Sequence, residues 1–407
     1  MKAMKKNLAN NNIAIICDDL TEFFVIKSIV DKLNKLNIPV DIIVPSDSGY
    51  NNLANHTISK IKELGYTPLD DAPKNKQYKI LLTPYPGLDV VKRMNYIYHI
   101  RYPYGAVSTK PNPTYLPSTR IDYDAIISFN TFDQTFLDAY GAEVYPVPYW
   151  RYHNFKKTTK THSKPVLLVL PTFGADTSCA NKFTDSAINE IKKHFFVIVK
   201  AHHAIHFGYD GGQTIDNLKK IADEYHDSDI PIDELLKKAD LVLSDNSGAI
   251  FEAICAGIPV ALFADNLNAR KFHTVDTPQY IFASQGILPH TNQAKQVLPM
   301  LLSIQPFSKK QQALRKQLFL QATTDPYKDF INVIKHYLLL DETKDYHKVL
   351  HDAMVEEWYR DKQTIIDQES KIQELTDIIN DLHNSTSWKV TKPLRAIKAR
   401  GKNHVQE

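Results

Sequence analysis

The sequence predicts an α/β protein with two Rossmann-like domains that face a cleft, followed by a helical C-terminal extension. Short β-branched runs alternate with longer amphipathic stretches, which is typical of parallel strands connected by helices. A basic segment at 151–164 interrupts the alternation, which then begins again, so we expect two such units. With 407 residues, 43% of them apolar, the chain is long enough to bury a core in each.

The predicted domain limits are 1–150 and 165–340, with the basic linker 151–164 between them. Strands of the first domain are predicted at 13–17, 40–45, 79–83, 97–101, 125–129 and 144–148, with helices at 21–36 and 53–64. In the second domain, strands are predicted at 165–171, 195–203, 239–245 and 258–265, with helices at 180–193, 231–238 and 248–256. The Pro- and Tyr-rich loop 102–120 is too long for a simple connection, which makes it a candidate functional loop.

Strand signals end at about residue 341. Residues 341–384 are predicted as a helical or coiled-coil extension and 385–407 as a basic amphipathic tail. The heptad positions of the extension are Ile365, Ile372, Leu375, Ile379 and Leu382. Association with a second copy or a partner through 360–384 and docking as a surface helix both remain open interpretations.

The composition excludes several classes of protein. The three cysteines lie far apart without a CxxC pair, which argues against disulfides and zinc clusters and fits a reducing cytoplasm. No signal-peptide core and no run of about 20 apolar residues is present. The net charge is +3, yet 151–164 and 385–402 together carry eleven Lys and Arg, which leaves the rest acidic. This distribution argues against nucleic-acid binding and predicts a local contact with an anionic partner.

The strongest chemical signal is the stretch 239–263, where a buried strand ends at Ser244, a candidate nucleotide-binding residue, and a polar turn leads into a helix. Free N–H groups and the helix dipole at Asn246, Ser247, Gly248 and Ala249 suit a phosphate. Glu252 follows one turn later, where a carboxylate can accept hydrogen bonds from ribose hydroxyls. The alternative is a plain strand, turn and helix with Ser247 as the N-cap.

Two further strands also end in polar residues. The run HFFVIVKAHH delivers Lys200 and His202 to the carboxyl end of a strand, where they can bind phosphate oxygens or protonate a leaving group. A metal site with His206 is disfavoured because the segment runs into a loop-like FGYDGG. The strand at 165–171 ends next to Thr172, where the opening loop of a nucleotide-binding unit is expected.

In the first domain, His99 and Arg101 leave a strand beside the 102–120 loop. His99 is a candidate base for an acceptor hydroxyl, with Arg101 and Tyr104 on the acceptor side. The alternative for His99 is a histidine satisfied inside the sheet.

In this order the motifs resemble the CDP-glycerol glycerophosphotransferases and related teichoic-acid polymerases, which have the GT-B fold. The matching motifs are Pro-Thr at 171–172, Lys-Ala-His at 200–202, the helix at 229–235, the turn at 245–248 and Phe-Glu at 251–252.

The resemblance implies a donor site on His202, Ser247, Gly248 and Glu252, and an acceptor-side base at His99. It further implies a nucleotide diphosphate donor such as CDP-glycerol, a lipid-linked glycan acceptor, no obligatory metal or other cofactor, and a role in teichoic-acid or surface-polysaccharide synthesis.

The tail STSWKVTKPLRAIK resembles the C-terminal signature of bacterial polysaccharide glycosyltransferases, so a UDP-sugar donor is an alternative. Its single Trp388 among basic residues also suits the surface of an anionic leaflet. We therefore expect a cytoplasmic protein that associates peripherally with the inner face of the cell membrane through 385–402.

Three other interpretations of the sequence are open. A metal-dependent transferase would use Asp122 with Asp124, or Asp227 with Asp229, but neither pair follows a hydrophobic strand. A non-hydrolysing UDP-sugar 2-epimerase is favoured by the turn before Glu252. A non-catalytic partner of a transferase complex is suggested by Gly174, where the resembled family has an arginine.

Overall fold

A computed structural model shows two α/β units that follow each other along the chain, each built on a sheet of parallel strands, as predicted. The structure describes residues 12–45, 51–71, 73, 75–84, 89–107, 123–137, 143–158, 162–173, 178–203, 213–227, 229–268, 276–304, 308–319, 325–340, 367–368, 370–379 and 381. The chain divides into a compact unit at Met1–Thr343, which contains both sheets, and a second unit at Lys344–Glu407.

The first sheet has six parallel strands in the order β2-β1-β3-β4-β5-β6. Its strands are β1 (Ile13–Ile16), β2 (Val40–Ile43), β3 (Gln77–Thr83), β4 (Asn95–Arg101), β5 (Ala125–Ser128) and β6 (Glu143–Pro146). Its helices are α1 (Leu20–Lys35), α2 (Asn51–Glu63), α3 (Asp89–Lys92) and α4 (Thr131–Leu137). The strand order reverses between β1 and β3, so the residues after these two strands flank a crevice.

The second sheet also has six parallel strands, in the order β12-β11-β10-β7-β8-β9. These are β7 (Val166–Leu170), β8 (Phe196–Lys200), β9 (Glu224–His226), β10 (Leu241–Ser244), β11 (Val260–Phe263) and β12 (His290–Thr291). Here the order reverses between β7 and β10, whose last residues, Leu170 and Ser244, pair directly. The loops after these strands therefore meet at one point of the sheet edge.

The helices of this part are α5 (Asp185–His194), α6 (Gln213–Ile221), α7 (Ile232–Leu236), α8 (Ala249–Ala256), α9 (Pro278–Ser284), α10 (Ala294–Ser303), α11 (Lys309–Leu318) and α12 (Lys328–Leu339). The helix predicted at 180–193 is wrong in its first turn. Residues Cys179–Lys182 form a short 3-10 turn, and α5 begins only after Thr184, whose hydroxyl accepts a hydrogen bond from the Ala187 N–H at 3.3 Å. A threonine N-cap sets the start of the helix here.

Helix α12 lies within the predicted second domain but packs against the first sheet. The Tyr337 hydroxyl donates to Glu143 at 2.8 Å, and Lys79 of β3 donates to the Leu340 carbonyl at 2.8 Å. One hydrophobic cluster also contains buried side chains of both halves, including Trp150 and Phe330. Residues from both predicted domains therefore share contacts and one hydrophobic cluster across the predicted domain boundary.

In the second unit, the described residues between 367 and 381 are helical. Ile372, Leu375 and Ile379 are 63%, 48% and 51% exposed. The heptad positions Ile365 and Leu382, like the tail at 385–402, lie outside the described residues.

Candidate functional site

A buried carboxylate organises the switch point of the second sheet. Asp245 follows β10, is 0% exposed, and accepts the Thr172 N–H with both oxygens at 2.9 and 3.0 Å. It also accepts the N–H of Cys179 at 2.8 Å and that of Ser247 at 3.1 Å. One side chain thus fixes the loop after β7 and the turn after β10 together, and sequence reasoning gave it no role.

The turn leads directly into helix α8. Gly248 is its N-cap residue and has no side chain of its own to cap the helix; among the described residues the Ser247 hydroxyl accepts a hydrogen bond from the Ala249 N–H at 3.3 Å. Gly248 and Ala249 are half-buried. The start of the helix thus presents backbone N–H groups and the positive end of a helix dipole where ligands bind in such sheets.

Two buried polar atoms beside this turn have no hydrogen-bond partner in the part of the chain that the structure describes. The Thr172 hydroxyl and the Asn246 side-chain oxygen are buried, and neither has a hydrogen-bond partner among the described residues. The Asn246 amide nitrogen donates to the Asn266 carbonyl at 2.9 Å, which holds the side chain in place. Ser244, in contrast, donates its hydroxyl to the Leu170 carbonyl and is 0% exposed, so it joins β10 to β7 instead of facing a ligand.

The carboxyl end of β8 brings positive groups to the same edge. Burial and the positive charge of Arg151 lower the pKa of Lys200 to about 8, against the opposite effect of Asp19. The ring of His202 packs on Phe173, with centroids 5.0 Å apart, and on His203 at 4.2 Å. His206 lies outside the described residues.

A contact between the halves was missed by sequence reasoning. Asp19 follows β1 at the switch point of the first sheet, and its Oδ2 lies 3.4 Å from Nε2 of His203. The signal was present, because an Asp-Asp pair directly follows the buried run IAIIC. The partner was not predictable, since it depends on how the two sheets face each other.

Glu252 makes contacts that differ from its predicted one with a ribose. Its Oε1 accepts the N–H of Ala106 at 2.8 Å and the hydroxyl of Tyr149 at 3.2 Å. The residue is 6% exposed, and burial raises its pKa above that of an ordinary glutamate. Glu252 therefore connects helix α8 to the first half of the chain.

His99 is held inside the first sheet. Its Nε2 lies 2.8 Å from the Thr83 hydroxyl, its ring packs on Tyr123 at 4.5 Å, and it is 3% exposed. Arg101 is also buried and donates to the Pro84 carbonyl at 3.2 Å, whereas Tyr104 is half-buried. The structure thus gives His99 the contacts of the alternative interpretation, a histidine satisfied within the sheet.

One member of each Asp pair that could serve as metal ligands is engaged elsewhere. Asp124 accepts the backbone N–H of His99 at 2.7 Å, and Asp229 lies 2.7 Å from Nε2 of His56. Asp122 is outside the described residues. Within the described parts of the chain, no group of three or more His, Cys, Asp or Glu side chains is placed to hold a metal ion.

Among the helices that the structure describes, none is long and apolar enough to cross a membrane.

No protein-family model matches this chain, and no curated protein matches it. Several solved structures, in contrast, match this chain in fold. A variant of the wall teichoic acid polymerase TagF has a TM-score of 0.53 at 13% identity, over 82% of this chain and 90% of that chain. The S. aureus MnaA–UDP structure has a TM-score of 0.54 at 11% identity, over 82% and 98%.

The UDP-GlcNAc 2-epimerase from Neisseria meningitidis bound to UDP-GlcNAc has a TM-score of 0.51 at 11% identity, over 79% of this chain and 99% of that chain. At these identities the similarity shows the fold alone. Together with the two six-stranded parallel sheets, it establishes the predicted GT-B fold of two Rossmann-like halves.

Proposed function

We propose that this chain is a transferase that moves glycerol phosphate, or a related polyol phosphate or sugar, from a nucleotide diphosphate donor to a lipid-linked cell-surface glycan. The observation that carries the proposal is the start of helix α8, which lacks a side-chain cap at Gly248 and lies at the switch point of the sheet. The GT-B fold and the TagF neighbour support the class of reaction.

The proposed chemistry is electrostatic. The donor's phosphates would accept hydrogen bonds from the N–H group of Gly248 and, in place of the Ser247 hydroxyl, from that of Ala249, where the helix dipole favours an anion. Lys200 and His202 approach the same edge from β8 and would neutralise the charge that develops on the leaving nucleotide. The Thr172 hydroxyl, which has no hydrogen-bond partner among the described residues, would supply one further hydrogen bond. Every group in this scheme belongs to the second half of the chain.

Isothermal titration calorimetry of the full chain with CDP-glycerol, CDP-ribitol and UDP-GlcNAc tests the donor. The matched variants are Gly248→Ala and Gly248→Val, because φ of −64° at this position suits any residue and the substitutions change space, not backbone strain. We expect one donor to bind, with affinity falling at Ala and falling further, by about tenfold or more, at Val. Equal affinity in all three proteins, or binding of no donor, contradicts the proposal. Binding of no donor would favour the non-catalytic partner instead.

A 2-epimerase is the second candidate function, and the solved UDP-GlcNAc 2-epimerase from Neisseria meningitidis, which has the same fold, supports it. MnaA is recorded with UDP and the Neisseria enzyme with UDP-GlcNAc. Incubation with UDP-GlcNAc in the absence of any acceptor distinguishes the two functions. Formation of the 2-epimer favours the epimerase, whereas release of free nucleotide only when an acceptor is added favours the transferase.

The proposed acceptor is lipid-linked, so we also propose that residues 385–402 bind an anionic membrane surface. Six Lys and Arg follow Trp388 in this segment, and each such charge contributes about 1 kcal/mol near an anionic leaflet. Co-sedimentation with phosphatidylglycerol vesicles and with neutral phosphatidylcholine vesicles tests this. We expect binding to the anionic vesicles alone, and loss of binding when the chain is cut after residue 384. Equal binding by the shortened chain contradicts the proposal.

A further inference from the structure

An imidazole and a carboxylate from opposite halves meet at the carboxyl edges of both sheets. His203 follows β8 of the second sheet and Asp19 follows β1 of the first. Their closest atoms, Nε2 and Oδ2, are 3.4 Å apart, with the two side chains 32% and 11% exposed. The pair is therefore sheltered by both halves while the imidazole remains partly accessible.

Each member of the pair is fixed by a second contact. Asp19 is the N-cap of α1, and its Oδ1 accepts the N–H of Glu22 at 3.0 Å, which leaves Oδ2 directed at His203. The His203 ring lies against His202, which in turn packs on Phe173. An imidazole that packs on a neighbouring ring and has a carboxylate 3.4 Å from one ring nitrogen has the neighbours of a positioned general base.

We propose that His203 is the general base of the transfer reaction and that Asp19 is its positioning residue. The inference rests on the proposed function and replaces His99, which is held by Thr83 within the first sheet. His203 occupies the position at which the resembled family has a proline, so the resemblance does not imply the role of general base for this residue.

In the proposed step, His203 takes the proton from the acceptor hydroxyl at its Nδ1, while the Nε2–H faces Asp19. The acceptor oxygen forms a bond to the transferred group. The bond between that group and the nucleotide's phosphate oxygen breaks, and its electron pair stays on that oxygen. The imidazolium formed is stabilised by the Asp19 carboxylate and then releases its proton to water.

The test uses the full chain, the donor that calorimetry identifies, and nucleotide release with glycerol phosphate as a soluble acceptor. His203→Gln is compared with His56→Gln as a matched control. His56 also contacts the other half, at 2.7 Å from Asp229, but its side chain is 44% exposed and it belongs to helix α2, outside the loops that follow β1, β7, β8 and β10. We expect His203→Gln to lower kcat roughly 10²- to 10⁴-fold with nucleotide Kd unchanged, and His56→Gln to leave kcat unchanged.

Asp19 is tested with two variants that separate its two contacts. Asn caps a helix about as well as Asp, whereas Ala does not. If Asp19 orients His203, Asp19→Asn and Asp19→Ala lose similar kcat, about tenfold or more, and only Asp19→Ala lowers the melting temperature. If the residue merely caps α1, Asp19→Asn keeps wild-type kcat, which overturns the positioning role.

The outcomes also separate this inference from the function on which it rests. Donor binding by the wild-type chain with kcat retained in His203→Gln overturns the assignment of the base alone, as does an equal loss of kcat in His56→Gln. Absence of donor binding, or donor binding without any turnover by the wild-type chain, overturns the proposed transferase function and this inference with it.

Discussion

Replacing Asp245 by Asn is expected to destabilise the protein and to weaken donor binding together. The carboxylate accepts three backbone N–H groups, from Thr172, Cys179 and Ser247, at 2.8 to 3.1 Å and with 0% exposure. An Asn retains one acceptor oxygen and turns the other into an NH₂ donor. Because Cys179 and Ser247 reach different oxygens, either orientation of the amide leaves one of these N–H groups facing a donor.

The magnitude follows from these contacts. One buried N–H without an acceptor costs about 1–3 kcal/mol, and loss of the negative charge weakens each of the other two hydrogen bonds by about 1 kcal/mol. Relief of the desolvation of a buried carboxylate offsets part of this loss. We expect a decrease of about 2–5 kcal/mol in the free energy of unfolding, which is a large fraction of the stability of a typical domain.

Urea denaturation followed by circular dichroism measures this loss, and Asp240→Asn is the matched control. Asp240 accepts the Val166 N–H at 3.0 Å and forms an ion pair with Lys157, but its side chain is 24% exposed. Water can therefore replace the interactions that the carboxylate makes and an Asn amide would lose. We expect the control to lose less than about 1 kcal/mol. Equal losses in the two variants, or a loss below about 1 kcal/mol for Asp245→Asn, would refute the role of Asp245 as the organiser of the switch point.

Three further predictions follow from the site. Nucleotide affinity should fall as the pH rises through about 8, because Lys200 then loses the charge that a phosphate favours, and Lys200→Met should abolish this dependence in calorimetry. His99→Ala should lower the free energy of unfolding by about 2–4 kcal/mol, because it leaves a cavity and removes the contact with Thr83. The nucleotide Kd should not change, and weaker nucleotide binding by the folded variant would contradict a purely structural role for His99. Burial raises the pKa of Glu252, so the folded state holds the carboxyl proton more tightly than the unfolded state. The free energy of unfolding should therefore fall as the pH rises from about 4.5 toward the raised pKa. Glu252→Gln, whose side-chain oxygen can still accept the Ala106 N–H, should remove that decrease in denaturation curves recorded across this pH range.

Much of the fold was predictable from local patterns. The strand prediction is confirmed at β1 and β10, because a short β-branched run bounded by polar residues has few other ways to bury its side chains. The turn at 245–248 was predictable for the same reason, since a strand, a polar turn and a glycine next to an apolar helix leave little choice of local geometry. The direction of each parallel strand then placed Thr172 and Lys200 at the carboxyl edge.

The roles of individual polar residues were less accessible. Asp245 and Ser244 are adjacent and both polar, yet one organises two loops and the other only joins β10 to β7. His99 has the sequence setting of a base at the end of a strand, but the neighbouring strand supplies Thr83 as its partner. Which neighbour a side chain meets depends on the register between strands, which the pattern within one strand does not contain.

The order of strands, turns and helices along the chain is enough to predict two doubly wound units and a helix that begins at the polar turn after β10. The packing of α12 on the first sheet, the contact of Glu252 with Ala106 and that of Asp19 with His203 became known from the three-dimensional structure. The reason is physical: hydrophobic periodicity and turn chemistry act between residues near in the chain, whereas these contacts depend on the orientation of one sheet against the other.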